Sequence, residues 1–205
     1  MYRKYLKRTL DIILALAILF LFWWIFIAVA FIVKNRLGSP VIFRQKRPGK
    51  NGKLFTLFKF RTMKNSLDCY GNLLSNEERL TEFSLTLRSS SLDELPQIWN
   101  VLKGDMSFIG PRPLLGRYLS RYSPTQFRRH EIRPGITGWA QVNGRELISW
   151  EERFKFDIEY VDNYNFFMDM KILLLTVRKI IFREGVSPEK KEITDDFMGD
   201  NYKDE

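Results

Sequence analysis

Residues 12–33 are 22 consecutive residues without a charged side chain, and their only polar side-chain atoms are the indole N–H groups of Trp23 and Trp24. A helix of that length matches the hydrocarbon core of a bilayer, about 30 Å thick. Sixteen of the 22 are Leu, Ile, Phe or Val, so transfer into lipid is favoured by about 5 to 10 kcal/mol. A soluble-core helix is a poor account of such a run. A cleavable leader competes, because Arg3, Lys4, Lys7 and Arg8 form a basic start and Ala28-Val29-Ala30 resembles a cleavage site. Against it, the apolar run continues to Val33, and residues 34–64 carry ten Lys or Arg and no acid, unsuited to export.

Both flanks of the run are therefore basic, whereas a simple spanning helix carries that excess on one side only. Symmetric charge argues for a re-entrant helix with both ends cytoplasmic. A re-entrant helix needs a breaker near its middle, and the run contains no Pro or Gly; Trp23-Trp24 occupy its midpoint. Re-entry is the expectation and a continuous span the alternative.

The 205 residues suit one core-forming domain with an appendage, and 45% hydrophobic with 15% aromatic residues exclude a disordered chain. A formal net charge of +9 points to a phosphate-bearing partner: nucleic acid, nucleotide or anionic lipid. The single Cys69 and single His130 exclude a disulfide framework, a Cys/His zinc cluster and a paired Cys/His catalytic site. A metal would take oxygen ligands, which suits magnesium.

Val41 to Arg44 and Leu54 to Phe60 read as strands around the turn-rich Pro48-Gly49-Lys50-Asn51-Gly52, giving a hairpin. Aromatics interleaved with Lys and Arg from Phe55 to Arg61 suit either nucleic acid or a membrane interface. A short helix is expected over 77–87. Residues 114–132 mix Leu114, Leu115, Tyr118, Leu119 and Tyr122 with Arg117, Arg121, Arg128 and Arg129, the pattern of a helix on an anionic membrane, with His130 on its charged face. Ser149 with Glu152 opens a helix on which Asp157 shares an apolar face with Phe154, Ile158 and Val161; such an acid needs Arg, Lys or a metal beside it. A last helix spans about Asp169 to Glu184, and from Ser187 the tail is charged and expected to be mobile.

Between these lie Arg88, Ser89, Ser90, Ser91 and the vicinal acids Asp93 and Glu94. Ser91 and Glu94 have the capping-box spacing, although Pro96 fits better if the helix starts nearer Asp93. Two adjacent carboxylates beside a basic group can also hold a metal while one attacks phosphorus. Arg112, bracketed by Pro111 and Pro113, is either a phosphate ligand on a stiffened backbone or a solvated turn residue. Gln141, Asn143 and Arg145 follow the turn Arg133-Pro134-Gly135 and could meet a nucleotide.

Four stretches together carry a resemblance: Phe58 to Met63, Ser91 to Gln97, Leu102 to Pro113, and Arg133 to Arg145. In this order they resemble the bacterial monotopic phosphoglycosyl transferases over residues 1–186, with the departure that a Ser-Pro pair usual at the middle of the membrane helix is replaced by Trp23-Trp24. The compact length is similar to the Campylobacter-type branch, which uses UDP-N,N′-diacetylbacillosamine. The resemblance implies an α+β, mainly helical fold: a membrane helix (1–36), a cytoplasmic catalytic domain (37–186) of short helices, interfacial helices and a small β-hairpin, and a tail (187–205). It implies transfer of a sugar 1-phosphate from a UDP-sugar to polyprenyl (undecaprenyl) phosphate at the bacterial inner membrane, the first membrane step of glycoconjugate assembly, as in protein glycosylation. By the same resemblance Asp93 is the nucleophile, Glu94 the Mg2+ ligand, and Lys59, Arg88 and Arg112 phosphate contacts. Asp157 is a further active-site position and Arg145 a contact at the nucleotide end. A carboxylate approaching a phosphoanhydride requires cations in any case. The partners implied are the UDP-sugar, the lipid phosphate and membrane lipid, and no nucleic acid. The rival reading is a basic, membrane-anchored scaffold without catalysis, which leaves the acid pair and Arg112 without a purpose.

Overall fold

The computed structural model describes residues 1–144, 148–182 and 196–199. One wide π turn, Tyr2–Leu6, leads into α1, Lys7–Leu37, the one helix among the described residues long and apolar enough to cross a membrane. At 1.5 Å per residue α1 is about 46 Å long, longer than the hydrocarbon layer. Its regularity fails at Phe22 (φ −121°, ψ 16°). Without Pro or Gly, an indole meets the exposed backbone there: Trp24 Nε1 donates to the Leu21 carbonyl at 3.2 Å. A carbonyl left bare in lipid is costly, so this bond lowers the penalty of the kink.

Both halves of α1 lie against the same domain. On the N-terminal half, Arg8 donates to the carbonyls of Val101 (2.5 Å) and Leu102 (2.9 Å), and Asp11 accepts from Ser107 Oγ and the Phe108 N–H, each at 3.1 Å. Ala15 packs with Ile98, Val101 and Met106. On the C-terminal half, Val29, Val33 and Leu37 pack on Phe60 and Leu87, and Arg61 donates to the carbonyls of Ser39 (2.8 Å) and Leu37. The middle of the helix, Phe20 to Trp24, presents five large apolar side chains outward.

The expected hairpin is present as β1, Ile42–Pro48, antiparallel to β2, Leu54–Phe60. Side chains alternate across a strand, so Phe55 and Leu57 face the core and Lys59 continues their face. The expected helix over 77–87 is two pieces, α2 (Asn76–Arg79) and α3 (Glu82–Ser89), each opened by its own capping box, at Ser75 and Thr81. A 3-10 turn at Leu92–Glu94 precedes α4, Gln97–Lys103. Asn100, fully buried on α4, ties it to the hairpin: it donates to the Thr56 carbonyl (2.7 Å) and accepts from the Phe58 N–H (3.1 Å).

β3, Ser107–Ile109, and β4, Gly135–Thr137, form a parallel pair that sets the Gly-Pro-Arg-Pro segment beside Arg-Pro-Gly-Ile-Thr-Gly. Between them comes a broken path in place of the expected amphipathic helix: a 3-10 stretch at Gly116–Arg121, α5 at Pro124–Phe127, and a 3-10 turn at Arg128–His130. Tyr118, Arg129 and His130 are buried, so this segment is not a uniform surface helix. The backbones of β3 and β4 touch at glycine. A Cβ on Gly135 would lie 2.1 Å from Gly110 N and 2.4 Å from the Thr137 carbonyl oxygen. Gly135→Ala is expected to destabilise the domain by about 3 kcal/mol, read as an earlier thermal transition; an unchanged midpoint would contradict this packing.

α6, Trp139–Asn143, is followed by α7, Trp150–Asn163, opened by the expected Ser149–Glu152 capping box. α8, Phe166–Phe182, starts three residues earlier than the sequence indicated. Among the described residues the domain is thus mainly helical with two small sheets.

Candidate functional site

The acid pair does not sit in a capping box. Ser91 adopts a left-handed conformation (φ +57°) and makes no side-chain cap, while Asp93 and Glu94 occupy the 3-10 turn and Pro96 is the N-cap residue just before α4. The three serines therefore terminate α3 and turn the chain, instead of starting the next helix. Both acids still stand ahead of the first turn of α4.

Lys59 reaches the pair because β2 packs on α4 and delivers the next residue of its inward face to the head of that helix. Its Nζ lies 2.7 Å from Glu94 Oε1 and 3.6 Å from Asp93 Oδ2. Arg112 arrives from the Pro-Arg-Pro segment, its Nη2 2.9 Å from the same Glu94 oxygen. Arg88, from the last turn of α3, donates to Thr62 Oγ1 at 3.0 Å and its charge reaches Asp93. Four of the expected residues, Lys59, Arg112, Asp93 and Glu94, thus form one ion cluster, with Arg88 at its edge.

The two acids differ electrically. Burial pushes Asp93 up to about 6, with Lys59 opposing and the neighbouring Glu94 charge adding to the rise. Glu94 is also desolvated, but Arg112 and Lys59 outweigh burial and hold it down at about 2. Glu94 is a fixed anion that gathers the cations; Asp93 is the more basic carboxylate.

Asp157 is one layer behind. Its carboxylate, 2% exposed, accepts from Arg129 Nη2 (2.7 Å) and Nε (3.0 Å), which supplies the partner an acid on an apolar face requires. Burial works against the Arg129 charge, but the Asp157 carboxylate outweighs it and raises the guanidinium pKa. Arg129 also donates to the Arg112 carbonyl at 2.9 Å, so Asp157 bears on the ion cluster through the backbone of Arg112. Arg145 lies outside the described residues.

Sequence reasoning missed Arg129, Asn100 and Arg47. Arg129 was hidden in a run of basic residues, with nothing to distinguish it from its half-buried neighbour Arg128. Arg47, whose guanidinium donates to Gln45 Oε1 at 2.7 Å, is lowered to about 10 by burial and by the nearby Arg112 charge.

His130, expected on a charged surface, is 4% exposed. Its Nδ1 is 3.2 Å from the Gly49 carbonyl oxygen and its Nε2 lacks a hydrogen-bond partner among the described residues. Burial lowers its pKa to about 4, and Arg129 acts in the same direction. The unfolded chain takes up this proton at about pH 6.5 while the folded chain resists it, so stability falls as pH drops from there toward about 4, by about 3 kcal/mol in full. His130→Gln is expected to flatten that part of the pH dependence, measured as denaturation midpoints between about pH 7 and about pH 5; an unchanged slope would contradict it.

A family model described as bacterial sugar transferase matches residues 2–183. The chain is 52% identical over 194 residues to the protein named uncharacterized sugar transferase EpsL of Bacillus subtilis (strain 168), with 95% of this chain and 96% of that protein covered. It is 40% identical over 187 residues to the UDP-glucose:undecaprenyl-phosphate glucose-1-phosphate transferase of Xanthomonas campestris pv. campestris, covering 85% of this chain and 38% of that protein. With the undecaprenyl-phosphate galactose phosphotransferase of Salmonella typhimurium the identity is 37% over 199 residues, covering 89% of this chain and 42% of that protein. The chain therefore spans nearly all of the first relative but less than half the length of the other two. With an acid pair held under lysine and arginine, and that family's model matching from residue 2 to residue 183, this chain belongs to the bacterial sugar transferase family.

Proposed function

We propose that this protein transfers a sugar 1-phosphate from a UDP-sugar to polyprenyl phosphate, specifically undecaprenyl phosphate, with release of UMP. The observation that carries this reading is the unequal engagement of two vicinal carboxylates by the same cations. Glu94 Oε1 is bound by both Lys59 and Arg112, whereas Lys59 stands 3.6 Å from Asp93. Lone pairs tied up by guanidinium and ammonium attack poorly; the carboxylate left basic beside them is the better nucleophile. The names of the Xanthomonas and Salmonella relatives support the donor and acceptor classes.

In this mechanism a carboxylate oxygen of Asp93 attacks the β-phosphorus of the UDP-sugar. The bond from that phosphorus to the oxygen bridging the two phosphates breaks, and UMP departs with the bridging oxygen. An oxygen of the polyprenyl phosphate then attacks the same phosphorus of the phosphosugar-Asp93 intermediate. The bond to Asp93 breaks, restoring the carboxylate and giving polyprenyl-diphosphate-sugar. Lys59, Arg112 and Arg88 offset the repulsion between the attacking anion and the phosphates.

Two adjacent carboxylates also fit Mg2+, which prefers hard oxygen donors and commonly takes one or two carboxylates together with substrate phosphates and water. An ion on these two carboxylates would take its remaining ligands from substrate oxygens and water. Glu94 would hold the ion through its carboxylate oxygen other than the Oε1 that Lys59 and Arg112 bind, with Asp93 beside it. Bound there, Mg2+ would supply charge neutralisation for the phosphates.

The membrane helix is proposed to be re-entrant, in the bacterial inner membrane, with the catalytic domain cytoplasmic. Support comes from Arg8 and Leu37, near its two ends, both bonded to one domain, and from the kink at Phe22. With the exposed Cys69 replaced by Ser, Tyr5→Cys and Arg36→Cys are expected to react with an impermeant thiol reagent from the same membrane face. Labelling from opposite faces would overturn re-entry.

The reading is tested by UMP release from purified protein with Mg2+ and undecaprenyl phosphate. The UDP-sugar panel should hold the N,N′-diacetylbacillosamine donor and related N-acetylated sugars. It should also hold the glucose and galactose donors named for relatives. Failure with every donor would overturn the transferase, and binding that falls with salt and ignores Mg2+ would favour a scaffold for anionic lipid.

A further inference from the structure

The segment 196–199 returns to the domain and fills a cage behind the ion cluster. The ring of Phe197, 5% exposed, sits among Phe154 (centroids 4.9 Å apart), Trp150 (5.6 Å), Tyr122 (5.7 Å, stacked) and Tyr118 (5.8 Å). Polar bonds fix it on both sides. Asp196 accepts from Arg117 Nη2 and from the Tyr118 hydroxyl (2.9 Å), and Arg121 donates to the Phe197 carbonyl (2.6 Å). A charged tail is expected to be mobile, yet these four residues are docked.

The cage connects to the acid pair by an unbroken path. Tyr122, stacked on Phe197, accepts at its hydroxyl from Arg129 Nη1 at 3.3 Å. Arg129 holds Asp157 and donates to the Arg112 carbonyl at 2.9 Å. Arg112 meets Glu94. Because prolines on either side of Arg112 stiffen the backbone, a shift of its carbonyl carries with it the Cα from which its guanidinium reaches Glu94.

We propose that Phe197 is a positioning residue: by filling the Tyr118, Tyr122, Trp150 and Phe154 cage it holds Tyr122 against Arg129, and through Arg129 it sets Arg112 over the acid pair. Residues 196–199 are then an intramolecular strap on which turnover depends. This inference rests on the transferase reading and on Arg112 contacting phosphate.

The test uses full-length protein in the UMP-release assay. Phe197→Ala is expected to lower kcat/KM for the UDP-sugar about tenfold, and Phe197→Leu, which refills the cage with apolar volume, to recover most of it. Asp196→Ala, which removes an exposed anchor without opening a cavity, is expected to act in the same direction by about threefold. The decisive comparison is made in an Arg112→Ala background, where Phe197→Ala should have less than about a twofold further effect; a merely structural side chain would have the same effect in both backgrounds. Independently of activity, hydrogen exchange of the peptide spanning residues 105–117 should accelerate in Phe197→Ala. Wild-type protein that releases no UMP would overturn the transferase reading itself. Wild-type turnover with Phe197→Ala unchanged, or with equal losses in the two backgrounds, would overturn the strap alone.

Discussion

Asp93→Asn is expected to abolish UMP release, by on the order of 10^4-fold or more, and to leave the protein unlabelled by sugar phosphate when donor is supplied without lipid acceptor. The amide is nearly the shape of the carboxylate, so the turn at Leu92–Glu94 should persist, and Lys59 keeps its shorter contact to Glu94. What is lost is the carboxylate oxygen with both the charge and the basicity to attack. Glu94 cannot substitute, because Lys59 and Arg112 hold its carboxylate in place and suppress its basicity. Turnover within about tenfold of wild type would sink the nucleophile assignment. Lost turnover with labelling retained would move Asp93 to the second half of the reaction.

Arg129→Met should be the most destabilising single change near the site. It leaves the Asp157 carboxylate almost wholly buried without its cation, and breaking a buried pair from one side costs about 3 to 5 kcal/mol. For a chain of this size that corresponds to a thermal midpoint lower by about 10 °C. Replacing both partners, Arg129→Met with Asp157→Leu, removes the orphaned charge and is expected to restore most of the midpoint. It should not restore activity, because the Arg112 carbonyl still lacks its donor. A double variant as active as wild type would show that the pair serves stability alone; one as unstable as the single variant would contradict the charge argument.

The features of this protein legible in the chain alone are those encoded by neighbours along it. The apolar run predicts the membrane helix, the alternation around Pro48 to Gly52 predicts the hairpin, and Ser149 with Glu152 predicts the start of α7. The capping-box reading of Ser91 and Glu94 had the same local warrant and failed. There a left-handed turn at Ser91 and a 3-10 turn answer to the packing of α3 and α4 on the hairpin, which local spacing does not record. Residues 196–199 misled for the opposite reason: they lie in a segment of solvated composition, and one aromatic with a complementary cage outweighs it.

The sequence by itself determined which residue types were available for chemistry: two adjacent carboxylates, cations on three separate segments, no cysteine or histidine pair, and a helix that must meet lipid. Only the tertiary structure decided how they are divided. It set Lys59 and Arg112 on Glu94 and left Asp93 basic, it paired Asp157 with Arg129, and it brought both ends of α1 and residues 196–199 onto one domain. The physical reason is range. Periodicity, capping and hydrophobic runs act over a few residues along the chain, whereas electrostatic partnership acts over a few ångströms in space. Lys59, Glu94 and Arg112 come within that distance only when β2, α4 and the Pro-Arg-Pro segment pack together.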